Sequence, residues 1–186
     1  MTVFIVGLVL FFGVHLIPMT PLKPVLHKAL GEKPYKGLFS LVALVGLGVT
    51  IWGFSMLRSG PAAFPIYWPP EWTKSLTTVL VLIGFVCLAA SHTKGYLKKL
   101  LRHPMSIGIA LWSAGHLLSN GRQAAVILFA CFLAYALLDI IVGLLKGSVP
   151  AHEPKMSGDV IAVIGGVAAF ALFGWLHQYM VGIPLF

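Results

Sequence analysis

LRHPMSIGIALWSAGHLLSNG, Leu101 to Gly121, opens on a basic–histidine–proline step, runs apolar, and carries a second histidine, His116, near its end. An ionisable group in a lipid-buried segment is costly, and where one occurs it faces a partner, a cavity or a metal. Whether this stretch is a membrane span decides the fold, and it also decides what His103 and His116 are for.

Composition settles the class. The chain has 186 residues, 59% hydrophobic and 10% charged, with a mean hydropathy of +0.95, whereas soluble domains carry about 25% charged residues. The expected fold is all-α: a polytopic integral membrane helical bundle in the lipid bilayer, a single domain over residues 1–186. A hydrocarbon core of about 30 Å takes about 20 helical residues. Six apolar stretches approach that length: Thr2 to Leu22, Leu38 to Leu57, Ser75 to Ala90, Pro104 to Ser119, Ala124 to Leu145 and Asp159 to Gln178. The third and fourth, at 16 residues each, are the shortest. GEKPYKG, SGPAAFPIYWPPEWTK, HTKGYLKKLLR, SNGRQ and KGSVPAHEPKMSG lie between them, with no internal repeat.

Thirteen Lys and Arg against five Asp and Glu give a net charge of +8. Nucleic acid is not the implied partner, because the charge follows topology. Lys23, Lys28, Lys33, Lys36, Lys94, Lys98, Lys99, Arg102, Lys146 and Lys155 fall after the odd spans; Arg58, Lys74 and Arg122 fall on the other side. Basic loops stay in the cytoplasm, so both termini are expected to face outward. Met1 to Leu10 lacks a basic start, so the first span is expected to be retained rather than cleaved.

Cys87 and Cys131 sit in apolar stretches without CxxC spacing and read as buried small residues. Phe64, Tyr67, Trp68 and Trp72 read as interfacial anchors, with a lid over a ligand as the alternative. Ser106, Ala110 and Ala114, four apart, suggest a face that lets another helix approach. Asp159, after Ser157 and Gly158, is expected to cap its own helix.

His15, His92, His103, His116 and His177 lie in or at the ends of spans, whereas His27 and His152 in basic loops are expected to be solvated. Pro104 disfavours helical backbone at His103 and suits a first helical turn, so a helix starts there and His103 reads as a boundary residue beside Arg102. Thirteen residues put His103 and His116 roughly 20 Å apart along the helix and well over 90° apart around it, so they cannot share one iron. Gly108, Trp112 and Asn120 continue the His116 stripe at intervals of four. By helical rise His15 lies about 12 Å deep and His116 about 21 Å deep, a mismatch that tilt and the kinks at Pro18 and Pro21 would have to close. His177 is the rival partner.

GVHLIP near the N-terminus, followed by RHPMSIGIALWSAGHLLSNG, resembles the NnrU family of small bacterial membrane proteins over the whole chain. The same domain forms the plant 15-cis-zeta-carotene isomerase. The resemblance implies a place in the bacterial inner membrane, a link to nitric oxide and denitrification with other membrane redox proteins as partners, and non-covalent haem b. It makes His15 and His116 the axial ligands, and cations such as Arg102 or Arg122 would meet the haem propionates. The isomerase has a cysteine where this chain has Ser113, a poor substitute for a thiolate at iron, and this departure argues against isomerase chemistry. A structural role for the two histidines, bonded to backbone or to each other, is the competing reading.

Two other classes compete. GYLKKLLRHPMSIG also resembles membrane methyltransferases of the isoprenylcysteine type, although the acidic tail of those enzymes is missing here. A non-enzymatic factor aiding assembly or expression of nitrogen-oxide reductases is the third class. Asp139 in the fifth span is functional by default; its candidate partners are His15, which it would orient, Arg102 and His92, with simple protonation as the alternative. The charge asymmetry gives the first test. Alkaline phosphatase fused after Phe186 should be active and a fusion within residues 92–103 silent; a C-terminal fusion that works only as a cytoplasmic reporter overturns the orientation.

Overall fold

The computed structural model describes residues 1–58 and 60–182. Regular structure there is helical: α1 Thr2–Leu16, α2 Leu22–Leu30, α3 Glu32–Met56, α4 Thr73–Ser91, α5 Tyr96–Leu101, α6 Pro104–Ser119, α7 Gln123–Leu145 and α8 Met156–Val181. The exceptions are two short 3₁₀ turns, Ile17–Met19 and Pro61–Ala63, and an isolated bridge between Pro65 and Arg122. Five segments are long and apolar enough to cross a membrane: Thr2–Met19, Glu32–Met56, Thr73–Ser91, Gln123–Leu145 and Met156–Val181. At about 1.5 Å per residue, α6 reaches about 24 Å.

Each apolar stretch becomes a helix, but the connections hold more structure than their composition suggests. The first stretch stops short of Leu22, because Pro18 and Pro21 break α1 into a 3₁₀ turn and a corner. GEKPYKG is not a loop. Pro34 sits in the first turn of α3, where its missing N–H costs nothing, and Lys36 bridges to Glu32 one turn back at 2.5 Å. LKPVLHKAL forms α2, and Gly31, at φ 82°, ends it and starts α3 at once. That left-handed backbone is why a glycine stands there.

The chain divides into two compact units, Met1–Trp68 with Asn120–Cys131 and Pro69–Ser119 with Phe132–Phe186. In the first, α1 and α3 pack antiparallel through small residues. A methyl group on Gly53 would lie 2.5 Å from the Phe4 backbone, one on Gly46 2.6 Å from the Phe11 amide nitrogen, and one on Gly7 2.4 Å from the Thr50 nitrogen. Phe4, fully buried, fills the space beside Gly53 and tilts against Phe54 with ring centroids 5.9 Å apart. Thr50 returns its hydroxyl proton to the Gly46 carbonyl at 2.7 Å, so no polar atom is stranded at the contact. In the loop after α3 the Ile66 amide donates to the Gly121 carbonyl at 2.8 Å.

In the second unit α4 is central, with α6 and α8 against it. Gly84 and Gly108 meet directly: a methyl on Gly108 would lie 2.7 Å from the Gly84 carbonyl oxygen. Further along, Thr77 donates to the Gly115 carbonyl at 2.7 Å. On the α8 side, Gly166 faces the Val86 backbone at 2.5 Å from a hypothetical methyl, and Ala90 and Ala162 are both fully buried. Gly108 and Gly115 form the face of α6 that meets α4, while Ser106, of the Ser106, Ala110, Ala114 stripe, is buried on another side.

Asp159 departs from its expected role. α8 begins at Met156, so Asp159 lies in its first turn, and its carboxylate accepts the Tyr96 and Leu97 amides, each at 2.9 Å. It caps α5, whose orphan N–H groups need an acceptor, rather than its own helix. The close contacts give a stability test. Gly53→Val should cost about 1–3 kcal/mol of thermal stability in detergent through overpacking, while Gly48→Ala, which meets nothing within 4 Å, should be neutral or slightly stabilising. Equal melting of the two variants would refute a backbone contact between α1 and α3.

Candidate functional site

The basic–histidine–proline step is a strained turn. Arg102 has φ 61° and ψ −48°, and the His103 amide donates to the Leu101 carbonyl at 2.7 Å. This is a γ-turn of the rarer, strained hand, in the one non-glycine residue with positive φ among those described. It turns the chain from α5 into α6, which starts at Pro104 as its sequence requires, and the His103 carbonyl accepts the Ile107 amide at 3.0 Å. Arg102 is exposed.

His103 is more than a boundary residue. Its ring lies against Gly143 of α7, where a methyl would come within 2.2 Å of Cε1. Its Nε2 is buried and has no hydrogen-bond partner among the described residues. One turn along each helix, the Ser106 hydroxyl donates to the Asp139 carboxylate. Ser106 is not among the partners the sequence suggested for Asp139; small size alone marked it for packing.

His116 points its Nδ1 at the Trp112 carbonyl one turn back, 2.8 Å away. A carbonyl oxygen only accepts, so a neutral His116 carries its proton on Nδ1 and its lone pair on Nε2. Trp112 leans over the imidazole with ring centroids 5.1 Å apart and meets Phe132 edge-on at 5.3 Å. His177 of α8 lies within electrostatic range of His116. Ser113 is fully buried and spends its hydroxyl on the Ile109 carbonyl at 2.7 Å.

In the first unit, His15 repeats the arrangement: Nδ1 donates to the Phe11 carbonyl at 2.6 Å, again leaving the lone pair on Nε2. Its ring stacks on Phe11 at 4.3 Å and meets Phe39 at 5.2 Å. The structure thus groups His116 with Trp112 and His177, His15 with Phe11 and Phe39, His103 with Gly143, and Asp139 with Ser106. Gly108 serves the contact with α4. Asn120 leaves the His116 stripe, because α6 ends at Ser119; its side chain accepts the Arg122 amide at 3.1 Å and its carbonyl accepts the Tyr67 hydroxyl at 3.1 Å. Arg122 is exposed at the head of α7. Cys87 and Cys131 are free thiols inside helices.

The two loop histidines are not solvated. His152 donates from Nε2 to the Gly95 carbonyl at 3.1 Å, and the Nε2 of His27 is buried against Tyr35. The only hint of the second contact in sequence is that His27 and Tyr35 stand four residues either side of Gly31. Among the described residues no group of three or more His, Cys, Asp or Glu is placed to hold a bare metal ion.

An all-helical chain with several apolar spans and with imidazoles pinned inside its helices is a polytopic membrane-type protein. The family model described as NnrU protein matches residues 3–185, and the chain belongs to the NnrU family. No curated protein and no solved structure matches it. The contact of His103 with α7 gives a paired test. Gly143→Ala should cost about 1–3 kcal/mol by collision with the imidazole, and the same change beside His103→Ala should cost far less. Additive losses in the double variant would mean that the two residues are not in contact.

Proposed function

We propose that the chain binds non-covalent haem b through His116 and His15 as axial imidazoles, and that it serves nitric oxide or denitrification metabolism in the bacterial cytoplasmic membrane alongside other membrane redox proteins. The observation that carries this reading is the matched pinning of the two histidines. A haem-iron ligand must offer a lone pair from a fixed ring, and a hydrogen bond from the other ring nitrogen both orients the imidazole and raises its basicity. The Trp112 and Phe11 carbonyls do this for His116 and His15. The donor set fits haem, which needs two neutral imidazoles rather than a three-ligand cage.

Bound there, haem would supply a one-electron redox centre. The chain's own residues hold and tune it: Trp112 and Phe132 give His116 an apolar wall, and Phe11 and Phe39 do the same for His15. Arg102 or Arg122, exposed beyond opposite ends of α6, would meet the propionates. Ser113 is a poor substitute for a thiolate at iron, since a neutral hydroxyl is a weak ligand and this one is fully buried; this favours electron transfer over ligand-exchange isomerisation. In this reading α6 is a sixth, short span and both termini face outward.

A second ligand pair, His116 with His177, has an observation of its own, since His177 is in electrostatic range of His116 within one compact unit. Absorption spectra of the detergent-purified protein, expressed with ample haem, decide. His116→Ala and His15→Ala should each abolish or shift the Soret band, whereas His103→Ala should leave it nearly intact. A shift with His177→Ala but none with His15→Ala transfers the second ligand to His177. A wild-type protein with no Soret band ends the haem reading and leaves the non-enzymatic assembly role.

A further inference from the structure

A cavity of about 310 Å³ opens among α1, α2 and α3, lined by Val14, Ile17, Leu26, Leu30, Phe39 and Tyr35 among others. That volume is at the lower end of the range for small-molecule sites. Gly13 also lines it, and a methyl there would meet nothing within 4 Å, so the wall is open at that point. The lining is apolar except for Tyr35, which is only 7% exposed. Its hydroxyl has no hydrogen-bond partner among the described residues, and neither has the Nε2 of His27, whose ring meets Tyr35 edge-on at 4.3 Å. Leaving a buried polar atom unpaired costs about 1–3 kcal/mol. Two such atoms in touching rings, one of them on a cavity wall, mark a place where a ligand oxygen is missing.

The chemistry of the occupant follows from what surrounds those atoms. An anionic headgroup would prefer the exposed Lys23, Lys28 and Lys33 on the same two helices, and burying its charge in an apolar cleft is costly. That choice would leave Tyr35 and His27 unsatisfied. An acyl chain has no polar atom to offer them. The wall is also aromatic: Tyr35 and Phe39 line it with ring centroids 6.3 Å apart, and His27 extends the run behind Tyr35 at 4.3 Å. Such a run suits a flat ring better than a flexible chain.

We propose that this cavity binds the head of a membrane quinone, with a ring carbonyl accepting the Tyr35 hydroxyl proton, the His27 Nε2 beside it, and the isoprenoid tail leaving between the helices into lipid. The proposal does not rest on haem, because Tyr35 and His27 are not among the residues assigned to iron and the test reads quinone alone; Phe39, which also meets the His15 ring, is the side chain the two sites share.

The full chain, purified in detergent, is titrated with decylubiquinone by equilibrium dialysis, with phosphatidylglycerol and decanol as competitors. Saturable binding is expected, displaced by neither competitor at equal concentration. Tyr35→Phe should weaken it about tenfold, the worth of one hydrogen bond. His27→Phe should weaken it similarly, and Gly13→Leu, which fills the open wall, should abolish it. The same Tyr35→Phe protein without quinone should melt at the same temperature as wild type or higher, because it no longer buries an unpaired hydroxyl. That opposite sign separates a ligand contact from a structural one. Unsaturable binding, displacement by phosphatidylglycerol or decanol, unchanged affinity in both Tyr35→Phe and His27→Phe, or a lower melting temperature for the quinone-free Tyr35→Phe protein would each overturn the proposal.

Discussion

Helices in lipid gain nothing from hiding apolar surface from one another, since the tails they displace are as apolar as leucine. Their association rests on close van der Waals contact, which needs small residues where backbones meet. In this chain the constraint is concentrated at a few glycines. Each step of three or four residues along α1, from Phe4 to Gly7 to Phe11, is matched by a step back along α3, from Gly53 to Thr50 to Gly46. Gly84 against Gly108 and Val86 against Gly166 do the same for α4 with α6 and α8. A side chain at any of these glycines would push the helices apart, because the atoms in the way are backbone and cannot rotate aside.

Once α4 and α6 are locked at Gly108, the other faces of α6 are assigned by helical geometry. The register that sets Gly115 against Thr77 leaves Ser106 to meet Asp139 and Trp112 to meet Phe132 on α7. A carboxylate in an apolar helix is tolerable only where a donor reaches it, and Ser106 is that donor. The polar pair is a consequence of glycine packing on the opposite side of the same helix.

This hierarchy explains what could be read from sequence. Local rules were legible: apolar length found every long helix, and Pro104 fixed the start of α6. The Nδ1 bonds of His15 and His116 also obey a local rule, because a histidine in a helix has the carbonyl four residues back within reach. Partners distant in sequence were not legible. Asp159 carries a capping residue's chemistry at a helix start, and only the fold reveals that the helix it caps begins at Tyr96, sixty-three positions away. α2 and α5 escaped because nine and six residues are too few for an apolar period to stand out beside lysines. For the same reason His27 read as solvated: its burial comes from the reversal at Gly31, which composition does not announce.

What remains after packing and capping are accounted for is a short remainder of costly features. A helical fold satisfies its own backbone, so buried polar atoms without partners are uncommon and call for an explanation. Among the described residues they are His27 Nε2, Tyr35 OH and His103 Nε2. The first two lie in touching rings, of which Tyr35 lines a cavity. The third follows the strained turn at Arg102 and lies on Gly143, where any other residue would exclude the ring. Strain persists only when the surroundings over-determine it, and two separate features fix this turn: Pro104 forbids helical continuation through His103, and α7 offers a glycine to receive the imidazole. The RHP step therefore holds His103 in one place, against α7, while the helix it starts carries His116 thirteen residues further on a different face. His103 at the head of α6 and His116 within it are thus held on different faces, and the distance between them is set by α-helical rise.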